Sequence, residues 1–118
     1  MIDYINWSRM WAWVRNGTHS ITSTVRIPER DVTAQIALSK VSWDSEGVPR
    51  YAKAFIRSYS RRMMSDVSGT GIYDDPNSAP TILRISNAQA VTFELQVRAN
   101  GRGAEMYGYA TAMVFVYS

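Results

Sequence analysis

The sequence predicts a mainly β fold: an antiparallel β-sandwich or jelly-roll-like single domain spanning residues 1–118. Three observations lead there. Apolar and polar residues alternate with period two in several runs, most cleanly over Ala90 to Arg98. Turn residues punctuate the chain at short intervals, at Asn16-Gly17, Pro28, Asp44 to Pro49 and Asn100 to Gly103. No strand–helix–strand pattern is present, so a parallel sheet with crossovers is not expected. A chain of 118 residues is one domain's worth. Such a chain buries roughly 65% of its unfolded surface, enough for an ordinary core.

The first element is a β-hairpin. Residues 7–15 read Trp-Ser-Arg-Met-Trp-Ala-Trp-Val-Arg, and Thr18 to Ile27 read Thr-His-Ser-Ile-Thr-Ser-Thr-Val-Arg-Ile. Asn-Gly between two β-rich runs is a strong hairpin signal, because a type I′ turn needs positive φ at both central residues. Folding there sets Arg15 opposite Thr18, Trp13 opposite Ser20, Trp11 opposite Thr22 and Trp7 opposite Arg26. One face then carries Met10, Ala12, Val14, Ile21, Val25 and Ile27, which is an ordinary core face. The other carries Trp7, Arg9, Trp11 and Trp13 with Thr22 and Thr24. The alternative is a helix from Tyr4 to Arg15, capped by Asp3 and Gly17.

Pro28 ends the second strand, and Glu29 to Asp31 turn the chain. A third strand runs from Val32 to Trp43, with Val32, Ala34, Ile36 and Leu38 inward. Its phase then slips to Val41 and Trp43, which calls for a bulge near Ser39-Lys40. Residues 50–64 read two ways. A short helix would stripe Ala52, Phe55, Ile56, Tyr59 and Met63. A strand would put Tyr51, Phe55 and Tyr59 on one face with Lys53, Arg57 and Arg61, and the β character of the rest favours it. Ser65 to Pro80 is a long loop rich in Gly, Ser, Asp, Asn and Pro; loops of that length in compact domains are usually functional. Thr81 to Ser86 is a short strand. In the strand from Ala90 to Arg98, Val91, Phe93, Leu95 and Val97 point inward. The last strand, Glu105 to Tyr117, is apolar on both faces, as a strand covered on both sides is. Tyr107, Tyr109, Met113, Phe115 and Tyr117 line one face and should fill the core or a subunit interface. Gly108, Ala110 and Ala112 lie on the other, which lets a second sheet or backbone approach closely.

Composition excludes several chemistries. The chain has no cysteine and one histidine. That removes disulfide scaffolds, thiolate catalysis, Cys-based zinc and multi-histidine metal sites. The net charge is +3 and the sequence pI about 9.4. Of thirteen basic residues only Lys40 and Lys53 are Lys. Arg suits interfaces and bidentate contacts, and GC-rich coding also favours it. A charge of +3 is small for a dedicated nucleic-acid binder. No basic n-region with an apolar stretch opens the sequence, and no apolar run reaches membrane-spanning length. The expectation is synthesis in a host cytoplasm without a signal peptide, and no membrane partner.

The catalytic inventory is thin. His19 has no nucleophile elbow or marked carboxylate beside it and reads as a structural histidine near the core face. Asp44/Glu46 and Asp74/Asp75 are close acidic pairs; the latter, in Asp-Asp-Pro-Asn, reads as turn chemistry before it reads as a cation site. Ser68 to Gly71 and Gly101 to Gly103 are Gly-rich but lack a P-loop ending. A basic strip of Lys53, Arg57, Arg61 and Arg62 with Phe55 and Tyr59 could stack on single-stranded nucleic acid. The low total charge favours a solvated or inter-subunit face instead. The tryptophan face of Trp7, Arg9, Trp11 and Trp13 suits sugar stacking or coverage by another sheet or subunit.

Several of these features together resemble the small virion proteins of tailed bacteriophages, among them capsid decoration, tail-completion and jelly-roll tail proteins. The carriers are the signal-less start, the absence of cysteine, the β-only pattern, the Arg excess, the Ser65 to Pro80 loop and the strand that runs to Ser118. The stretch from Phe93-Glu-Leu-Gln-Val97 through Tyr107-Gly-Tyr109 to Met113-Val-Phe115 is similar to the last hairpin of H-type lectin sandwiches. The resemblance implies a non-enzymatic structural protein, without cofactor or metal, that contacts other virion proteins. The surplus apolar and aromatic surface, on the tryptophan face and on a last strand apolar on both sides, calls for a symmetric multimer. Trp7, Arg9, Trp11, Trp13, Gly108, Ala110 and Ala112 are the expected interface or ligand face. The alternative is a carbohydrate-binding, lectin-like module that uses Trp7, Trp11 and Trp13.

Overall fold

Extended backbone dominates because β-branched and aromatic residues alternate with polar ones along nearly the whole chain. The computed structural model describes residues 2–43, 51–59, 80–99 and 107–118. Five strands form: β1 (Ile5–Arg15), β2 (Gly17–Trp43), β3 (Tyr51–Tyr59), β4 (Thr81–Ala99) and β5 (Tyr107–Tyr117). All pairings are antiparallel, in the order β1-β5-β2-β4-β3. The mainly β reading stands; the helix alternative at 4–15 gives way to β1, and that at 50–64 gives way to β3 over 51–59, its remaining residues lying outside the described ones.

Two strands are far longer than the sequence suggests. Pro28 and the Glu29-Arg30-Asp31 turn do not end a strand; they lie within β2, where the register shifts twice between Arg26 and Val32. β4 likewise runs through Asn87, whose φ is +53°, and joins the two strands expected at Thr81 to Ser86 and Ala90 to Arg98. Both strands bend at the same level. The Asn87 backbone N–H donates to an Asp31 carboxylate oxygen at 3.0 Å, which ties one bend to the other. Strands that change layer through bends are how a sheet folds onto itself.

The bends divide the sheet into two layers. The first consists of β1, β5, residues 33–43 of β2 and residues 81–85 of β4. The second consists of residues 17–26 of β2, residues 90–99 of β4 and β3. Between them lies one core cluster. Met10, Ala12, Val14, Val32, Ala34, Ile36, Leu38, Val114 and Val116 enter it from the first layer; Val25, Ala52, Ile56, Val91, Phe93, Leu95 and Val97 enter it from the second. The inward sets expected for 32–38 and 91–97 are the buried ones. The phase slip in β2 is present as a register shift between Leu38 and Lys40.

The hairpin expectation needs correcting. Asn16 (φ +43°) and Gly17 (φ +128°) do take the positive φ that the turn requires. Yet β1 pairs with β5 rather than β2, so Arg15 lies opposite Tyr107, Trp13 opposite Tyr109 and Trp7 opposite Phe115. The turn is an arch that carries the chain from one layer to the other. β1 faces β2 and β4 across the core, where Met10, Ala12 and Val14 bury the side the hairpin would also have buried.

Candidate functional site

The outer face of the first layer is built by parity. Even residues of β1 and β5 face the core, so odd ones face outward. Pairing then sets them in rows: Trp7 beside Phe115 beside Gln35, Arg9 beside Met113 beside Ala37, and Trp13 beside Tyr109. Trp11 pairs with Thr111, whose hydroxyl is 2.8 Å from that of Ser39. Trp7, Trp11 and Trp13 are 61%, 56% and 44% exposed, and Ile5 and Ile82 are exposed on the same layer. Large side chains this open are unusual for tryptophan. With indoles of about 250 Å² each, the three leave roughly 400 Å² uncovered, in the range of the largest patch on a typical monomer.

Cations edge this aromatic surface. The Arg15 guanidinium lies 5.6 Å from the Tyr107 ring centre, and the Lys40 ammonium 5.7 Å from that of Tyr109. Tyr107 also meets Trp13, with ring centres 5.9 Å apart and planes tilted by 33°. Arg9 and Arg84 complete the set. Residues 5–15, 33–43, 81–85 and 107–117 include no Asp or Glu. The first layer's outer face is therefore aromatic and cationic, without a carboxylate among its described residues.

The outer face of the second layer is different. Thr18, Ser20, Thr22, Thr24 and Arg26 alternate outward on β2, beside Thr92, Glu94, Gln96 and Arg98 on β4. Here Lys53 and Arg57 of the expected basic strip are found. Arg57 Nε and Nη2 each donate to a Glu94 carboxylate oxygen at 3.2 Å, and the guanidinium sits 4.1 Å from the Phe55 ring centre. The Lys53 ammonium lies 4.6 Å from the Tyr51 ring centre. A bidentate carboxylate partner satisfies Arg57, which removes it from a phosphate-binding strip. Arg61 and Arg62 lie outside the described residues, as do Asp44, Glu46, Asp74, Asp75, both Gly-rich stretches and all of the Ser65 to Pro80 loop but its last residue.

The remaining candidates are sorted as follows. Trp7, Arg9, Trp11 and Trp13 share one face, as their parity predicts, and form an exposed ridge there. Gly108, Ala110 and Ala112 do not join them: they are buried between the layers, so the close approach they allow is that of the protein's own second layer. The tyrosines, Met113 and Phe115 of β5 make the outer, half-buried face instead of the core. His19 is exposed rather than structural, at a shallow open cleft beside Trp13 and the arch. Arg15, Lys40 and Arg84 were missed as members of the face. The odd parity of Arg15 next to the tryptophans was the available signal for the first of them. Another cleft, of about 280 Å³, lies near the bend beside Asp31 and Arg84; it is open and below the usual size for a bound small molecule.

At the chain ends, the Ser118 backbone N–H donates to the Tyr4 carbonyl at 3.1 Å. Asp3 accepts from the Ser118 hydroxyl and from Arg30 at 3.1 Å. The Ser118 hydrogen bond first, and the Arg30 charge with it, hold the Asp3 carboxyl below its ordinary range.

No protein-family model matches this chain, and no curated protein does. Among solved structures it is similar to a chain in the structure of infectious bursal disease virus, Gx strain, with a TM-score of 0.56 at 10% identity. The match covers 99% of this chain and 32% of that one, so this chain spans about a third of its neighbour's length. At that identity the likeness is one of fold.

Proposed function

We propose that this chain is a non-enzymatic structural protein of a virus particle, which assembles with copies of itself and offers the outer face of its first layer to other particle proteins. The carrying observation is the ridge of Trp7, Trp11 and Trp13, more than two-fifths exposed at each position on a face that also presents Ile5 and Ile82. Apolar surface of that extent on a small domain marks a contact awaiting a partner. The fold shared with a chain of infectious bursal disease virus supports the particle setting. The tailed-bacteriophage setting rests on sequence style alone. The test is direct: mass spectrometry of density-purified particles from cells expressing the gene in its native context. Recovery of the chain at a fixed ratio to other particle proteins is expected; its absence from particles overturns the reading.

A second reading, a glycan-binding module, draws on the same open indoles with Thr111 and Arg9 beside them. It requires glycan-array binding that Trp11→Ala abolishes while the far-ultraviolet circular dichroism stays unchanged. Absence of binding to every glycan removes it.

A further inference from the structure

The sheet has two edges, and they are built differently. β3, at one edge, is interrupted by a register shift between Ile56 and Ser58. Such irregularities twist an edge away from would-be partners. β1, at the other edge, pairs with β5 over all eleven residues without a shift. It contains no proline, and its inward residues Met10, Ala12 and Val14 are apolar. Among the described residues, no strand pairs along the other side of β1.

We infer that β1 pairs antiparallel with β1 of a second copy about a twofold axis at Met10, joining the first layers of two molecules into one sheet. The occupant follows from the strand's own sequence. Only the register centred on Met10 pairs all eleven residues. In it Arg9 lies opposite the partner's Trp11, Trp7 opposite the partner's Trp13, and Ile5 opposite the partner's Arg15. Each cation meets an apolar or aromatic group, and Arg over indole is a favourable contact. Sliding one step so that the axis falls on Arg9 sets two guanidinium groups face to face, which is unfavourable. Sliding the other way leaves residues at both ends unpaired. Face-to-face stacking of two first layers would instead oppose Arg9, Lys40 and Arg84 on both sides, with no carboxylate among the described residues of either face. Edge pairing keeps those cations side by side with aromatic neighbours. This deepens the self-assembly part of the proposed function and is independent of which particle is involved.

The natural chain has no cysteine, so each single-cysteine variant carries one thiol. In the proposed dimer the two copies of residue 10 lie directly opposite, at a Cα separation of about 4.5–5.5 Å, within disulfide range. Mild oxidation of Met10→Cys should give a covalent dimer. Should Met10→Cys fail to fold, a mixture of Ser8→Cys and Ala12→Cys should crosslink to each other, because those positions also face one another in this register. In sedimentation the parent chain should dimerise. Trp11→Lys, at an exposed site, places Lys opposite Arg9 twice and should weaken the dimer at least about tenfold. Adding Arg9→Glu to Trp11→Lys should restore it. A parent that stays monomeric up to roughly millimolar concentration overturns the inference, since even weak interfaces associate there. So does a dimer indifferent to Trp11→Lys, or one that crosslinks through Trp11→Cys in preference to position 10. In those cases recovery of the chain from particles still decides the proposed function separately.

Discussion

The two outer faces of this sandwich are carried in part by the same two strands, since β2 and β4 pass from one layer to the other, yet they present opposite chemistry. The second layer shows threonines and charged groups that pair among themselves: Thr24 with Thr92 at 2.9 Å, Arg57 with Glu94 at 3.2 Å. The first shows indoles, tyrosines and cations, with no carboxylate among its described residues. Both faces cover one core of the same Val, Ile, Leu and Ala composition. The interior therefore does not explain the difference. A face that satisfies its own polar groups is finished by solvent, while a face with three open tryptophans is finished by another molecule.

The largest expected effect tests whether the two layers depend on each other. β5 lies between β1 and β2, so deleting Met113 to Ser118 strips half of an internal strand and uncovers β1. We expect loss of the cooperative thermal transition. A transition near the parent's would mean the second layer folds by itself and the layers are separable. Next is the shared core. Phe93→Ala empties a fully buried site and should cost about 3–5 kcal/mol in denaturant unfolding. Ala110→Trp should be comparably damaging or prevent folding, because Ala110 is buried between the layers, where added volume is resisted.

Smaller effects sharpen the contrast between the faces. Glu94→Gln breaks a part-exposed ion pair and should lower stability by no more than about 1 kcal/mol, leaving assembly untouched. Trp11→Ser should do the reverse, with unfolding changed little and assembly in sedimentation lost. If both variants affect only stability, the faces do not differ in role. The smallest effect is at Asp3. Its carboxyl is held below the ordinary 3.8, so its contribution is present above that value and fades as pH falls through the depressed one. Asp3→Asn should slightly lower the thermal midpoint at neutral pH. Parent and variant should converge toward the acid end of a pH series.

Local structure was legible wherever backbone dihedrals and inward–outward parity are set by neighbours in sequence. The inward residues of 32–38 and 91–97, the slip beyond Leu38 and the positive φ at Asn16-Gly17 all follow from such patterns. The partner of β1 did not. Met10, Ala12 and Val14 point to the core whether β1 hydrogen-bonds to β2 as a hairpin or lies across from it in the opposite layer, so the pattern is identical for both. Pro28 misled in a related way, since a bend within a strand uses the residues that end one. The tryptophan ridge was visible as a face, but its exposure depended on which layer lay beneath it. The small side of β5 is a contact surface, as its residue sizes predict, but the contact is internal.

The pairing of β1 with β5 also orders events in time. Ile5 pairs across to Tyr117, and among the described residues no other strand neighbours β1. During synthesis β1 therefore emerges long before β5, and roughly a hundred residues must be added at about 5–20 per second before that partner exists. For that interval a regular, tryptophan-bearing strand stands unpaired, next to identical strands on neighbouring ribosomes of the same message. Contacts so distant in sequence also close slowly. Nascent chains are thus most vulnerable to mispairing at β1, and faster completion or a bound chaperone protects them there.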